Sequence, residues 1–115
     1  MRALTTAPLV LVLLLGLAGC RPLPPSKPAA QWTAQEARGA ELFAQKCSRC
    51  HSPNTTRSIK GPGLQAITKV GPRPFGDPPS DEQLTRLIRQ GRFAMPAAQL
   101  DDSQMRDLLA YLHSL

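Results

Sequence analysis

Two cysteines and a histidine stand within five consecutive residues of this chain, as Cys47, Cys50 and His51. The spacing puts the two thiols about one helical turn apart, with an imidazole directly after the second thiol. Four kinds of chemistry use a C-x-x-C pair: a redox-active dithiol, half of a zinc site, a disulfide, and covalent attachment of a prosthetic group. Each kind requires a different fold around the pair, so the remaining sequence decides among them.

The first 20 residues have the layout of an export signal. Arg2 supplies a positive charge, residues 9–15 are wholly Leu and Val, and small residues precede Cys20. The apolar stretch that begins at position 9 is 11 residues long, whereas a transmembrane helix needs roughly 20. Leu17-Ala18-Gly19-Cys20 resembles the lipobox of bacterial lipoproteins, whose cysteine receives a lipid and becomes the mature N-terminus. We therefore expect a lipoprotein signal peptide over residues 1–19 and lipidation at Cys20, with an ordinary signal peptide as the alternative.

A proline-rich stretch follows the expected lipidation site. Residues 21–30 contain four prolines, no acidic group and no periodic apolar pattern. This composition favours an extended polyproline II linker of about 3.1 Å per residue, with a disordered N-terminus as the alternative. We assign residues 20–31 to the lipidated cysteine and its linker, and residues 32–115 to a single folded domain.

Three helices of this domain are predicted by capping boxes that precede apolar residues at helical spacing. The boxes pair a capping side chain with Glu or Gln three residues later, at Thr33, Ser80 and Asp101. A shorter helical turn is expected within residues 64–70, and four prolines between positions 72 and 79 exclude a regular element there. No hairpin or paired-strand pattern occurs in the sequence. We therefore expect an all-α fold of three to four helices.

The domain has little apolar material for a core of its own, with only five aromatic residues in the whole chain. Small domains of this kind depend on a cofactor, a metal or disulfides. A zinc site would find only His113 besides the motif, a thioredoxin-like dithiol would need a βαβ context, and a disulfide would leave the core under-filled. C-x-x-C-H is the attachment motif of c-type haem, in which the thiols bind the two vinyl groups and the histidine binds the iron. We expect one covalently attached haem c.

From Trp32 to Leu115 the chain resembles the bacterial monohaem class I cytochromes c, in a lipoprotein-anchored form. In that family a Gly-x-x-x-Phe pattern precedes C-x-x-C-H, and here it consists of Gly39 and Phe43. A Leu-x-x-Tyr pattern in the last helix is present as Leu108 and Tyr111. The resemblance implies that the first and last helices cross with Gly39 at their contact and that the helices wrap around one haem.

The same resemblance assigns roles to the loop Gly61-Pro62-Gly63-Leu64. It implies that the Pro62 carbonyl accepts a hydrogen bond from the His51 ring, which would fix the imidazole. It also implies that Leu64 packs on the haem face. With Cys47 and Cys50, these residues complete one side of the expected haem site.

Three side chains are candidates for the second axial ligand of the iron. Met105 lies on the apolar stripe of the last helix, and His113 lies near its end, so a core role and a solvated role suit them better. Met95 precedes Pro96 in a loop between two helices, where the Met-Pro ligand of the resembling family lies. We expect His51 and Met95 as the two metal ligands.

Protein ligands on both sides of the iron leave no open position for a small-molecule substrate, which indicates outer-sphere electron transfer rather than catalysis. We expect an electron-transfer protein, not an enzyme. It would be anchored by lipid outside the cytoplasm, on the periplasmic side if the cell is Gram-negative, and carry single electrons between respiratory-chain proteins. The alternatives are a dedicated haem subunit of a larger oxidoreductase complex, a haem-based sensor, and a haem-free dithiol lipoprotein.

A net charge of +6 bears on the partners of this domain. Basic side chains near the expected haem loops would steer docking to the acidic face of a redox donor or acceptor. The alternative, which the sequence supports equally, is a basic surface that is simply solvated and has no docking role. Nucleic acid is not an expected partner of an exported lipoprotein. The basic residues concerned are Lys46, Arg49, Lys60, Lys69, Arg73, Arg89 and Arg92.

Overall fold

The computed structural model describes residues 22–70 and 76–115 of the chain. Within these residues the secondary structure is helical and contains no strand; an isolated backbone pairing joins Arg92 and Met95. The all-α fold expected from the sequence is therefore confirmed. The four α-helices are α1 Ala34–Lys46, α2 Ile67–Val70, α3 Asp81–Gln90 and α4 Asp102–Ser114, and a 3-10 turn at Ala29–Gln31 precedes α1.

The expected signal peptide over residues 1–19 and the lipidation site Cys20 lie outside the described residues. Most of the proline loop, residues 71–75, lies outside them too. None of the helices that the structure describes is long and apolar enough to cross a membrane.

All three predicted capping boxes form, and each one begins a helix. The Thr33 hydroxyl accepts a hydrogen bond from the Glu36 N–H at 3.1 Å, and the Glu36 carboxylate accepts one from the Thr33 N–H at 2.6 Å. The same reciprocal pair of hydrogen bonds begins α3 at Ser80 and α4 at Asp101. These bonds satisfy backbone donors that the first turn of a helix leaves unpaired. The capping boxes in the sequence therefore predict the residue at which each of the three helices begins.

Helices α1 and α4 cross at Gly39. A Cβ atom at this position would overlap the Asp107 carbonyl oxygen and approach the Tyr111 Cβ to 2.7 Å. The two backbones therefore come closer here than any residue with a side chain allows. This confirms the expected helix crossing and explains why α1 tolerates a glycine that costs about 1 kcal/mol relative to alanine.

Buried apolar side chains from α1, α3 and α4 form one core around this crossing. Tyr111 lies at its centre: its ring centroid is 5.4 Å from that of Phe43 and 5.4 Å from that of Trp32. Met105 is 3% exposed, in agreement with the core role expected for it. The cluster comprises Phe43, Leu84, Ile88, Met105, Leu108, Tyr111, Leu112 and Leu115.

The segment expected to be an extended linker is docked on the domain from Pro24 onward. The Gln65 side-chain amide donates to the Pro24 carbonyl at 3.2 Å, and the Lys27 N–H donates to the Ser114 carbonyl at 2.7 Å. This differs from the free linker expected over residues 20–31. Backbone groups of the segment form hydrogen bonds to Ser114 in α4 and to Gln65 just before α2. The proline-rich composition does not predict these partners.

Two ion pairs make the stability of the fold depend on pH in the acid range. Arg38 donates two hydrogen bonds to Asp107, at 2.8 and 3.1 Å, and Lys27 donates to both carboxylate oxygens of Glu36. These hydrogen bonds lower the pKa of both carboxyl groups below their ordinary values. Such a group stabilises the folded state above its unfolded pKa and loses that contribution as pH falls through its folded pKa.

We therefore expect the free energy of unfolding to hold above pH 4.5 and to fall progressively below pH 3.8, the ordinary values for Glu and Asp. Urea unfolding measured from pH 6 down to roughly pH 2.5 checks this. An Asp107→Asn variant should be less stable at neutral pH and show a shallower pH dependence. An unchanged slope in that variant would contradict the role of Asp107.

Candidate functional site

Cys47, Cys50 and His51 lie in the turn that ends α1. The Cys47 N–H still donates to the Phe43 carbonyl at 2.8 Å, and the N–H groups of Cys50 and His51 both donate to the Cys47 carbonyl at 3.0 Å. Both thiols are free and half-buried. Burial raises the pKa of the Cys47 thiol, and the charge of Lys46 opposes this effect. The turn at the end of α1 thus contains two free cysteine side chains and an imidazole.

A backbone carbonyl orients the His51 ring. The ring Nδ1 lies 2.8 Å from the Pro62 carbonyl oxygen, so the hydrogen bond expected between these residues is present. Because a carbonyl can only accept, Nδ1 carries the proton in this bond. The neutral ring then has an unprotonated Nε2 whose lone pair is free to bind a metal.

Gly61 supports the same ring, a contact that the sequence analysis did not assign. A Cβ atom at Gly61 would lie 2.5 Å from the His51 Cε1 and 2.9 Å from its Nδ1. The Gly61 N–H donates to the Cys50 carbonyl at 2.8 Å, which ties the loop to the motif. The glycine was visible in the sequence next to Pro62, but nothing in the pattern indicated that it meets the imidazole.

Leu64 lies at the end of this loop. It is half-buried against the core cluster, and its N–H donates to the Ser52 carbonyl at 2.8 Å. A side chain at Gly63 would overlap the Thr55 carbonyl oxygen. The loop from Ser52 to Leu64 is therefore folded tightly on itself. It holds the Pro62 carbonyl within hydrogen-bonding distance of the His51 ring.

Met95 lies in a tight turn between α3 and α4. Arg92 and Met95 exchange two backbone hydrogen bonds, at 3.0 and 2.9 Å, and Phe93 between them has a φ of 51°. Gly91 begins this turn with a φ of 71°, and a Cβ there would lie 2.6 Å from the Met95 carbonyl oxygen. Met95 is half-buried against the core cluster that Cys47 and Leu64 also contact. The fold thus brings three distant stretches of sequence to one apolar cluster.

The other two candidates for the second axial ligand have different surroundings. The His113 Nε2 lies 2.7 Å from a carboxylate oxygen of Asp81 at the surface. Met105 is buried in the core. Met105 thus has the core position, and His113 the surface position, that the sequence predicts for them.

The donor set fits a covalently bound haem. The residues supply two free thiols for thioether bonds, an imidazole with a free Nε2, and a thioether sulfur at Met95, which are the groups that c-type haem uses. Across residues 22–70 and 76–115, no three His, Cys, Asp or Glu side chains come together as a metal site. The zinc alternative thus finds no ligand set in that part of the chain.

A family model described as cytochrome C oxidase, cbb3-type, subunit III, matches residues 34–112 of the chain. The match spans more than half of the sequence and includes every residue assigned to the haem site. The chain belongs to this family, and it is a class I c-type cytochrome domain. The cofactor of this cytochrome is a covalently bound haem, and its activity is haem-based electron transfer.

Some basic side chains of the cytochrome contact other residues of the domain, and others are exposed. Arg89 donates to Asp102, and the Lys69 ammonium donates to the main-chain oxygen of Leu115. The Arg92 guanidinium lies 5.0 Å from the centroid of the Phe93 ring. Lys46 and Arg49, beside and within the motif, are exposed, and so are Arg57 and Lys60 in the loop that follows it.

Replacing Gly61 with alanine should disturb the His51 ring. The added Cβ would overlap the imidazole, so either the ring or the loop must move and the Nδ1 hydrogen bond to Pro62 must lengthen. We expect a loss of about 1–3 kcal/mol in the free energy of unfolding and a smaller fraction of low-spin haem in the visible spectrum. Pro62→Ala is the matched control, because it keeps the carbonyl acceptor. A Gly61→Ala spectrum identical to that of the natural protein would contradict the assigned contact.

Proposed function

We propose that this cytochrome is a lipid-anchored carrier that passes single electrons between extracytoplasmic respiratory-chain proteins. Its haem is attached through Cys47 and Cys50, and its iron is bound by His51 and Met95. The observation that carries this proposal is the hydrogen bond from His51 Nδ1 to the Pro62 carbonyl, which presents Nε2 as a metal ligand next to two free thiols. When bound, the haem takes up and releases one electron without forming bonds to a partner.

The protein's own residues fix what the haem can do. Ligation by histidine and methionine would raise the reduction potential of the haem. Leu64 and Met95 are half-buried against the core, and a haem shielded from water beside them would have a higher potential still. His51 and Met95 would together leave no open position on the iron, so oxygen or a substrate could bind there only if one of these ligands left. The cytochrome c domain supports an electron-transfer role, and the description of the family names a subunit of an oxidase.

The first test is the visible spectrum of the mature protein, made in a host that attaches haem c and recorded before and after dithionite. A sharp reduced α-band together with the weak long-wavelength sulfur-to-iron band of the oxidised form supports ligation by His51 and Met95. A haem spectrum without the sulfur band points to another sixth ligand, and carbon monoxide binding to the reduced form would then favour a sensor. A colourless protein after competent maturation would overturn the haem site.

The anchor is tested separately. Cytochrome c domains are typically extracytoplasmic, and the lipobox-like sequence before Cys20 supports membrane attachment by lipid. We expect the mass of the N-terminal peptide to include a lipid on Cys20. A Cys20→Ser variant that still sediments with membranes would contradict the anchor.

A second candidate function is a fixed haem subunit of a terminal oxidase complex. The observation that favours it is the description of the matching family, which names an oxidase subunit. A fixed subunit should co-purify with its complex at a constant ratio. A free carrier that docks on an acidic face should instead purify alone and lose its electron-transfer rate as salt rises.

A further inference from the structure

Residues 24–31, which we call the strap, are held to the folded domain through their main chain. The Lys27 N–H donates to the Ser114 carbonyl at 2.7 Å, and the Lys27 carbonyl accepts from the Trp32 indole N–H at 3.0 Å. The Pro24 carbonyl accepts from the Gln65 side chain at 3.2 Å. The strap thus bonds to the end of α4 and to the residues just before α2.

Side chains secure the strap as well. The Lys27 ammonium donates to both carboxylate oxygens of Glu36, at 2.9 and 2.8 Å, and the Glu36 side chain is only 14% exposed. An ion pair screened from water in this way contributes more than a fully exposed pair. The strap leads directly into Trp32, whose ring meets the Tyr111 ring edge-on at 87°. The segment is therefore a part of the folded domain.

We infer that the strap leaves only residues 20–23 as a flexible connection between the lipid and the folded domain. We call this connection the leash. Because the leash is short, the cytochrome is held close to the lipid surface in one orientation. This inference rests on the lipid anchor proposed at Cys20. Four residues span at most about 14 Å, whereas a free linker over residues 21–30 would reach roughly 30 Å as polyproline II. The end of the fold that binds Pro24 must then face the headgroups.

The loop that holds the His51 ring leads to that end of the fold. Gln65, which binds Pro24, follows Pro62 by three residues in the loop that holds the His51 ring. The electron partners that fit this arrangement are membrane-held proteins whose docking faces lie close to the lipid surface. A partner that approaches from the bulk phase would find this side of the cytochrome turned toward the membrane.

Two variants release the strap without altering the haem site. Lys27→Glu places a like charge against Glu36, and Lys27→Pro removes the N–H that binds Ser114. The matched control is Arg86→Glu, which reverses the charge of an exposed ion pair with Glu82 on α3. Insertion of eight Gly and Ser residues after Arg21 lengthens the leash while leaving the strap docked, and it calibrates the height measurement.

The lipidated cytochrome is placed on a supported bilayer, and neutron reflectometry measures the height of the protein layer. We expect both Lys27 variants to raise the layer by up to about 25 Å, and Arg86→Glu to leave it unchanged. Hydrogen exchange in solution should show the Lys27 amide protected in the natural protein and exposed in Lys27→Glu.

Equal heights for the natural protein and both Lys27 variants would overturn the short leash. The short leash would also be overturned if the Lys27 amide of the natural protein exchanged its hydrogen as fast as an unstructured peptide does. A chain whose Cys20 carries no lipid in the mass spectrum overturns the anchor and the leash together. Loss of the haem spectrum with an unchanged layer height would instead count against the proposed electron carrier alone, so the two failures are distinguishable.

Discussion

A Met95→His variant should have a reduction potential lower than that of the natural cytochrome, by a sizeable part of the ~0.8 V range that axial ligands span in haem proteins. Imidazole donates more electron density to iron than a thioether does, so it stabilises the oxidised state. The sulfur-to-iron band of the oxidised protein should vanish in the same variant. Potentiometric titration and the oxidised spectrum check both expectations.

Met105 provides the matched control for this substitution. It is a methionine of the same domain, 3% exposed in the core, and we assign it no bond to iron. A Met105→Leu variant should keep both the band and the potential, with a loss of less than about 1.5 kcal/mol in stability. If Met105→Leu abolished the band and Met95→His did not, the ligand assignment would be reversed.

Local sequence patterns were sufficient to predict most of the helical framework. A capping box uses residues three apart, so Thr33 with Glu36 already contains all the atoms that begin α1. Gly91 likewise ends α3, because its φ of 71° suits glycine. Such elements are predictable because their causes lie within one turn of chain.

The haem site needed more than local pattern. The motif around Cys47 identified the cofactor, but the pairing of His51 with Pro62 came from the resemblance to a family, and the structure shows that bond. The contact of Gly61 with the ring joins residues ten apart through a folded loop. Neither composition nor periodicity carries information about which of two nearby glycines meets an imidazole.

The strap was the largest departure from expectation. Proline content indicates an extended backbone but says nothing about what that backbone binds. Lys27 pairs with Glu36 nine residues away and with Ser114 near the far end of the chain. Ser114 lies beside the strap only because α1 and α4 pack together, so a search of neighbouring residues cannot reveal this partner.

A Gly39→Ala variant should be destabilised, although alanine is the better helix former. Helix propensity alone predicts a gain of about 1 kcal/mol for this change. The new Cβ, however, would overlap the Asp107 carbonyl oxygen and crowd the Tyr111 Cβ, both on the facing helix. Because that oxygen belongs to the backbone of α4, no change of side-chain rotamer relieves the overlap.

The two helices must therefore separate, and the core around Tyr111 loosens with them. We expect the free energy of unfolding to fall by about 2–4 kcal/mol, measured by urea titration of the haem-loaded protein. The matched control is Ala37→Gly on the exposed side of α1, which should cost about 1 kcal/mol through propensity alone. Alanine would then be favoured over glycine at position 37 and disfavoured at position 39. A Gly39→Ala protein as stable as the natural one would show that the helices can part without cost, and the close crossing would no longer explain the glycine.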